Sequence, residues 1–418
     1  MKHTFIAFCA VVILGVPWLV RTYPQSAVYI DKAFSYVGEN VAAILLSSRT
    51  VTVAELQDKY RTAPRGKEKV RILIVPGHEP GFGGAEYKQI KERQLNVELA
   101  GYLEKLLRSN DHYEVIVARN DEEWNPQLLQ YFENNWNSIV SFFQEHKDAM
   151  LHSLSTGEAK KLTEGVHHNK APQDVALRLY GINKWVNEND VDIAIHIHFN
   201  DYPRSNSQVE GKYSGFAIYV PEGQYQNSTT TKAVADTIYN RLLQYSAVSN
   251  LPVEDEGIIE EQDLIAIGSH NTVDAASMLI EYGYIYQPEL QTAEMRKLAL
   301  EELAFQTYSG LQDFFGSGND VSLGYNTLVL PYTWNDTIKQ KTTPSQDVFA
   351  LQTALILEGV YPPQGETKND CPRTGKFGPC TQRALAEFQK KYSITGEKEI
   401  VGEKTRAALN SRYSIQIK

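Results

Sequence analysis

The chain has 418 residues, a length that predicts two or three domains at about 150 residues each. Its 42% hydrophobic and 22% charged residues are typical of a globular protein and exclude collagen-like, coiled-coil and fully disordered chains. With 41 lysines and arginines against 51 acidic residues, the formal net charge is −10, so we expect no binding to nucleic acid.

An uncharged, largely apolar stretch, Thr4 to Val20, lies between Lys2 and Arg21 near the start of the sequence. A basic start followed by such a run is typical of chains that enter the export pathway. As a helix the run would be roughly 26 Å long, slightly short of the ~30 Å hydrocarbon core, so residues 1–23 form either a signal peptide or a membrane anchor. No small-x-small cleavage site follows, which favours the anchor. We therefore expect the protein to work outside the cytoplasmic membrane, anchored to it or secreted if the leader is cleaved.

After a predicted membrane-proximal stalk over 24–69, strand and helix patterns alternate along the chain. This alternation predicts an α/β domain layered around one sheet. The apolar runs predict strands over 70–75, 113–118, 192–199, 215–220 and 277–282, and helices over 92–107, 173–187, 231–244 and 292–315.

A polar, turn-rich stretch over 316–344 predicts a linker to a second, smaller domain over 345–418. Cys9 lies in the apolar leader, whereas Cys371 and Cys380 lie close together in this second domain. In an exported chain these two cysteines predict a disulfide. Two free thiols or half of a zinc site are the alternatives, but no further Cys/His pair stands nearby to complete four ligands.

Four residues along the α/β pattern carry the side chains that a metal hydrolase needs, namely ligands on rigid elements and a separate carboxylate that moves protons. His78 follows a predicted strand on a tight turn, and Glu92 lies near a helix start. His198 ends a second apolar strand, and Glu281 lies inside a third, where an unused acid would be costly to bury. Each residue also has an ordinary structural explanation, such as a helix-start charge for Glu92. The residues alone leave a shared metal site and separate structural roles open.

Three stretches resemble the zinc-dependent N-acetylmuramoyl-L-alanine amidases, the amidase-3 family: VPGHEPGFGGAEYKQIKERQLNVELAGYL, HIHFNDYP and MLIEYGYI. That family has a P-G-H turn, a glutamate followed four residues later by asparagine, a His-x-Asn strand end and a strand glutamate followed by x-Gly. The similarity covers about residues 70–315 and implies a single mixed sheet flanked by helices. The matching pairs are Glu92 with Asn96, His198 with Asn200, and Glu281 with Gly283.

The resemblance implies a zinc ion held by His78, Glu92 and His198, with Glu281 as the catalytic acid and base. The bond cut would be the amide between the lactyl group of N-acetylmuramic acid and the L-alanine of the stem peptide in peptidoglycan. Two alternatives stay open. One is a non-catalytic wall-binding or regulatory protein with a degenerate amidase domain, and the other is a zinc peptidase that cuts within the stem peptide.

The chain departs from the family pattern near the expected site. Val75 replaces the usual aspartate, Glu79 and Pro80 replace a glycine pair, and His196 occupies a position that is usually small. Because His196 and His198 are two apart on a strand, both point to the same face and either could reach the metal. The spacing to the following asparagine favours His198.

A helical insertion over about 124–172, rich in aromatic residues, is the largest departure. Aromatic residues at helical spacing predict an extra packed helical layer. The alternative is a lid over the zinc, as in regulated relatives, which an activator protein would displace. A lid predicts higher activity when residues 124–166 are deleted.

The second domain resembles the peptidoglycan-binding domain 1 family, a three-helix module. The resemblance rests on SQDVFALQTALILEGVYPP, TGKFGPCTQRALAEFQKKYSI and TGEKEIVGEKTRAALN, whose apolar members are core positions of amphipathic helices. It implies that peptidoglycan is the partner, and that the module holds the enzyme on its polymeric substrate.

Overall fold

The computed structural model of the protein describes residues 50–162, 171–317, 325–340 and 343–415. The predicted leader over 1–23 and the first part of the predicted stalk lie outside these residues. No helix within the described ranges is long and apolar enough to cross a membrane.

A six-stranded sheet in the order β4-β1-β5-β8-β6-β7 forms the centre of the larger domain. β6 runs antiparallel to β8, and the other neighbouring strands are parallel. The sheet is therefore mixed, which confirms the predicted fold class. Its strands are β1 (Val70–Pro76), β4 (Tyr113–Val117), β5 (Ile193–Asn200), β6 (Ala217–Pro221), β7 (Ile258–Glu261) and β8 (Ala276–Tyr284), and a separate hairpin pairs β2 (Glu86–Tyr87) with β3 (Ile90–Lys91).

Helices cover both faces of the sheet because its central strands are apolar on both sides. Ile72 and Ile74 of β1 belong to one core and Leu73 and Val75 to another, as the two-residue period of a strand requires. The first core is covered by α2 (Glu92–Arg108), α5 (Ser228–Tyr245) and α6 (Ala293–Phe314), and the second by α3 (Pro126–Thr156) and α4 (Gln173–Glu188).

The insertion forms α3, a 31-residue helix that packs along α4. Leu128, Phe132 and Ile139 are buried in the core between these helices and the sheet. This packing is the predicted extra helical layer. Beyond α3, the backbone of Lys160 exchanges hydrogen bonds with Gln224, which follows β6. Because β6 runs antiparallel to β8, the carboxyl end of β6 lies beside the amino ends of β1, β5 and β8. The segment around Lys160 therefore lies at the end of the sheet away from the carboxyl ends of these three strands.

Part of the range predicted as a stalk packs as α1 (Val53–Thr62) against the larger domain. Leu56 and Tyr60, four residues apart on one side of the helix, are buried in the main core. Lys59 also pairs with the carboxylate of Asp192 at 2.6 Å. The domain therefore begins earlier than the predicted boundary at residue 70.

The smaller domain contains α7 (Gln346–Leu357), α8 (Pro379–Lys391) and α9 (Glu403–Tyr413). Their apolar faces share one core, and Cys371 and Cys380 form a disulfide with Cα atoms 5.7 Å apart. Residues 325–340, predicted as part of the linker, belong to the same core. Trp334 is fully buried there, and its indole donates to the Asp347 carbonyl at 2.9 Å.

Candidate metal centre

His78, Glu92 and His198 meet at the carboxyl edge of the sheet. His78 follows β1, His198 lies near the end of the neighbouring parallel strand β5, and Glu92 is the first residue of α2. Glu92 Oε1 lies 2.7 Å from His78 Nε2 and 3.0 Å from His198 Nδ1. The potential ligand atoms of all three residues lie within 4.8 Å of one another. The structure thus brings together the three predicted ligands.

The Glu92 carboxylate is fixed by backbone donors as well as by the imidazoles. Its Oε2 accepts from the Ala85 N–H at 2.8 Å, and its Oε1 from the Phe199 N–H at 3.3 Å. Burial alone would raise the pKa of Glu92, but the neighbouring imidazoles of His78 and His198 outweigh it and lower the pKa. The Glu92 carboxylate is therefore ionised at neutral pH.

Two glycines leave room for the imidazoles. A Cβ atom at Gly77 would lie 2.2 Å from Cε1 and Nε2 of His198. Gly84 has a φ of +82°, and a Cβ there would lie 2.8 Å from His78 Cδ2 and 3.1 Å from Glu92 Oε2. A side chain at either position would displace a candidate ligand.

His196 lies outside this cluster. It is 2% exposed, and its neighbours on the two flanking strands are Val75 of β1 and Leu279 of β8, both of which are core residues. Burial lowers the pKa of His196 to about 3, so its imidazole is neutral. Although His196 and His198 share a face of the strand, only His198 reaches Glu92 at the sheet edge.

Glu281 lies on β8 directly opposite His198. Its Oε2 is buried and accepts no hydrogen bond among the described residues. Burial raises the pKa of Glu281 well above its usual range, and the nearby carboxylates of Glu92 and Glu254 add to this effect. Such an uncommitted buried carboxyl beside the predicted ligands is suited to proton transfer.

Two further residues support the site but were not predicted from the sequence. Arg119, which is 2% exposed, donates from Nε to the Pro76 carbonyl at 3.0 Å and from a terminal nitrogen to that of Gly77. Glu254 accepts hydrogen bonds from Asn200 at 2.8 Å and from Tyr219 at 2.7 Å. Neither residue belongs to a motif, so no local pattern marks it.

The three clustered residues fit a zinc ion. Two imidazole nitrogens and one carboxylate oxygen are the donor set of many catalytic zinc sites, which keep a further position open for water or substrate. His78 Nε2 is buried, and its 2.7 Å approach to Glu92 lacks the geometry of a hydrogen bond. The two imidazole nitrogens and the carboxylate oxygen thus lie close together, but hydrogen bonds do not pair all of them.

The comparisons with known proteins decide the family. The N-acetylmuramoyl-L-alanine amidase family matches residues 72–313, which is more than half of the chain. The chain belongs to this family. A peptidoglycan-binding domain family matches residues 344–409, so the amidase carries the predicted wall-binding module. Both predicted resemblances are confirmed.

Solved structures similar to this amidase are themselves amidases. The CwlD amidase from Clostridioides difficile in complex with the GerS lipoprotein is 17% identical, with a TM-score of 0.39, and the match covers 59% of this chain and 99% of that chain. The N-acetylmuramyl-L-alanine amidase from Mycobacterium smegmatis is 13% identical, with a TM-score of 0.37, and the match covers 60% and 100%. A comparison with curated proteins gave no match.

Proposed function

We propose that this amidase hydrolyses the bond between N-acetylmuramic acid and L-alanine with a zinc ion held by His78, Glu92 and His198, and that Glu281 moves the protons. The observation that carries the proposal is that His78, Glu92 and His198 cluster at one sheet edge, with Glu281 directly opposite His198 on β8. The family match supports the bond that is cut. The buried Oε2 of Glu281, opposite His198 and beside the three candidate ligands, supports the proposed roles of the four residues.

The chain's own side chains would move the protons of the reaction and hold the metal ligands in place. When bound, zinc would supply a Lewis acid that activates water at neutral pH and polarises the amide carbonyl. Glu281 Oε2, which is buried and accepts no hydrogen bond from the described residues, takes a proton from the attacking water. The same carboxyl then gives a proton to the departing amine of L-alanine. Backbone N–H groups hold Glu92 in place throughout.

A digestion experiment tests the proposal. Purified peptidoglycan is incubated with the zinc-loaded protein and with its Glu281→Gln variant, and the new ends are identified. We expect free L-alanine amino termini from the unaltered protein, and a rate lowered by about 10²–10⁴-fold in the variant because general acid–base catalysis is lost. The variant should bind zinc as tightly as the unaltered protein because Glu281 is not a proposed ligand.

The other outcomes identify the alternatives. Different new amino termini would indicate a peptidase that cuts within the stem peptide. No zinc-dependent product would indicate a wall-binding or regulatory protein. An active Glu281→Gln variant would contradict the proposed proton carrier.

We further propose that the amidase works outside the cytoplasmic membrane, held there by its apolar N-terminal segment or secreted. The Cys371–Cys380 disulfide supports this location because such bonds persist in oxidising compartments. The proposal predicts that both cysteines resist a thiol-alkylating reagent in intact cells and react after reduction. Alkylation of both without reductant would contradict it, and fractionation separates the membrane-held from the secreted form.

A further inference from the structure

Glu79, one of the departures from the family pattern, is held on two sides. Its side chain is only 12% exposed. Oε1 accepts from Arg178 Nε at 2.8 Å, and Oε2 accepts from the Trp124 indole at 3.2 Å. Glu79 is the residue that directly follows His78, so these contacts fix the chain next to a candidate metal ligand.

Both partners of Glu79 are themselves anchored. Arg178 lies on α4. Trp124 pairs through its backbone with Arg119, and its ring contacts Phe132 edge to face at 5.4 Å. Because Phe132 lies in the core between α3 and α4, the insertion fixes the position of the indole.

The turn that carries His78 requires such support. His78 has a φ of 69°, a left-handed conformation that costs roughly 1–3 kcal/mol for a residue with a side chain and persists only when neighbours hold it. Glu79 and Phe82 close the following turn by two backbone hydrogen bonds, of 3.2 and 3.3 Å. Arg119 holds the preceding carbonyls of Pro76 and Gly77.

We propose that Glu79, Trp124 and Arg178 form a brace that holds His78 in its metal-binding conformation, so that the insertion supports the metal centre. The three are positioning residues because they act through His78. This inference rests on the proposed zinc site. It also opposes the lid hypothesis, since loss of a brace weakens metal binding, whereas loss of a lid leaves metal binding unchanged and raises activity.

Two conservative substitutions test the brace in the full chain. Trp124→Phe removes the indole donor and keeps a ring against Phe132, and Glu79→Gln removes the charge that pairs with Arg178. We expect either change to weaken zinc binding about tenfold, since loss of outer-shell contacts typically costs 10–100-fold in metal affinity. The zinc dissociation constant is measured by competition with a chelator, and thermal melting of the metal-free proteins checks that each variant folds.

The matched control is Asp174→Asn. Asp174 pairs with the same Arg178 side chain at 2.7 Å, through Nη2 rather than the Nε that binds Glu79, and is 63% exposed. This variant should bind zinc like the unaltered protein. In the double variant Glu79→Gln with Trp124→Phe, the fold-loss in zinc affinity should be smaller than the product of the two single fold-losses, because both changes act through one carboxylate.

Unaltered zinc affinity in both single variants, with normal melting, would overturn the brace. A rise in activity without a change in zinc affinity would favour the lid. If the unaltered protein binds no zinc, the proposed zinc site itself fails, and the two failures are therefore distinguishable.

Discussion

At the scale of single residues, the buried charges of Glu92 and Arg119 are paired with neighbouring groups. Glu92 has two imidazoles and two backbone N–H groups around its carboxylate, and Arg119 donates to the carbonyls that precede His78. Because an isolated buried charge is costly, this arrangement stabilises one geometry over the alternatives. The proposed ligands are thus held in place by the chain itself.

Residue type and position in the strand and helix pattern made His78, Glu92, His198 and Glu281 candidates, and the family resemblance implied their shared site and roles. The strand period could not separate His196 from His198, because both point to the same face, whereas the spacing to Asn200 favoured His198. The depth of each residue below the sheet edge decides the matter, and that depth depends on the register with β1 and β8. Long-range contacts of this kind, like those of Arg119, leave no local pattern in the sequence.

Gly77 provides a residue-scale prediction. A Cβ atom at this position would overlap the His198 imidazole at 2.2 Å, so Gly77→Ala must displace the ring or the turn. We expect the variant to bind zinc at least tenfold more weakly, in line with the 10–100-fold cost of disturbed ligand support. Chelator competition measures the loss.

Gly101→Ala is the control for this prediction. Gly101 lies inside α2, and a Cβ there meets no atom within 4 Å. Alanine should stabilise the helix by about 0.5–1 kcal/mol and leave zinc affinity unchanged. Equal zinc affinity in the two alanine variants would contradict the packing of His198 against Gly77.

At the scale of elements, the pattern of apolar residues along the sequence predicted the strands at the centre of the sheet. Each of the predicted strands is present, with ends that differ by one or two residues. The edge strand β7 was not predicted because it has four residues, three of them only half-buried, and ends in two glutamates. The β2–β3 hairpin was missed because each of its strands has two residues.

The boundaries of the domains were harder to predict than their centres. The sequence predicts a stalk over 24–69, which includes α1, and a polar, turn-rich linker over 316–344, which includes residues 325–340. A few apolar side chains, Leu56 and Tyr60 in the first case and Trp334 in the second, anchor them to the two cores. The second segment also buries Val329, Leu330 and Ile338, and burial of each apolar side chain contributes about 1.5–3 kcal/mol to docking.

At the scale of the whole molecule, the wall-binding domain contacts the catalytic domain through a buried cation. Arg373 of the smaller domain lies over the rings of Phe349 and Tyr245, at 4.3 and 4.9 Å from their centres. Its guanidinium is 3.8 Å from the carboxylate of Glu302 on α6. Tyr245 and Glu302 belong to the catalytic domain, so this side chain is one of the contacts that join the two units, together with Met295, which lies in the core of the smaller domain.

Arg373→Ala tests the coupling of the domains. Removing one partner of a buried ion pair typically costs about 3–5 kcal/mol, and the hydrogen bonds that Glu302 keeps from Gln306, Thr327 and the Leu328 N–H place the expected cost at or below this range. We expect the smaller domain to melt at a lower temperature than the catalytic domain, so that calorimetry shows two separated transitions. Hydrolysis of intact peptidoglycan should fall, because the binding module no longer holds the catalytic domain in a fixed position, while hydrolysis of a short soluble fragment should stay unchanged.

Arg383→Ala is the matched control, because Arg383 lies in the same domain and pairs with Glu366 at 2.7 Å but is 48% exposed. An exposed pair contributes about 0–1 kcal/mol, so this variant should melt and hydrolyse peptidoglycan like the unaltered protein. Identical melting of the Arg373→Ala and Arg383→Ala variants would show that Arg373 does not couple the domains. A loss of activity on the soluble fragment in Arg373→Ala would instead show that the contact supports the catalytic domain itself.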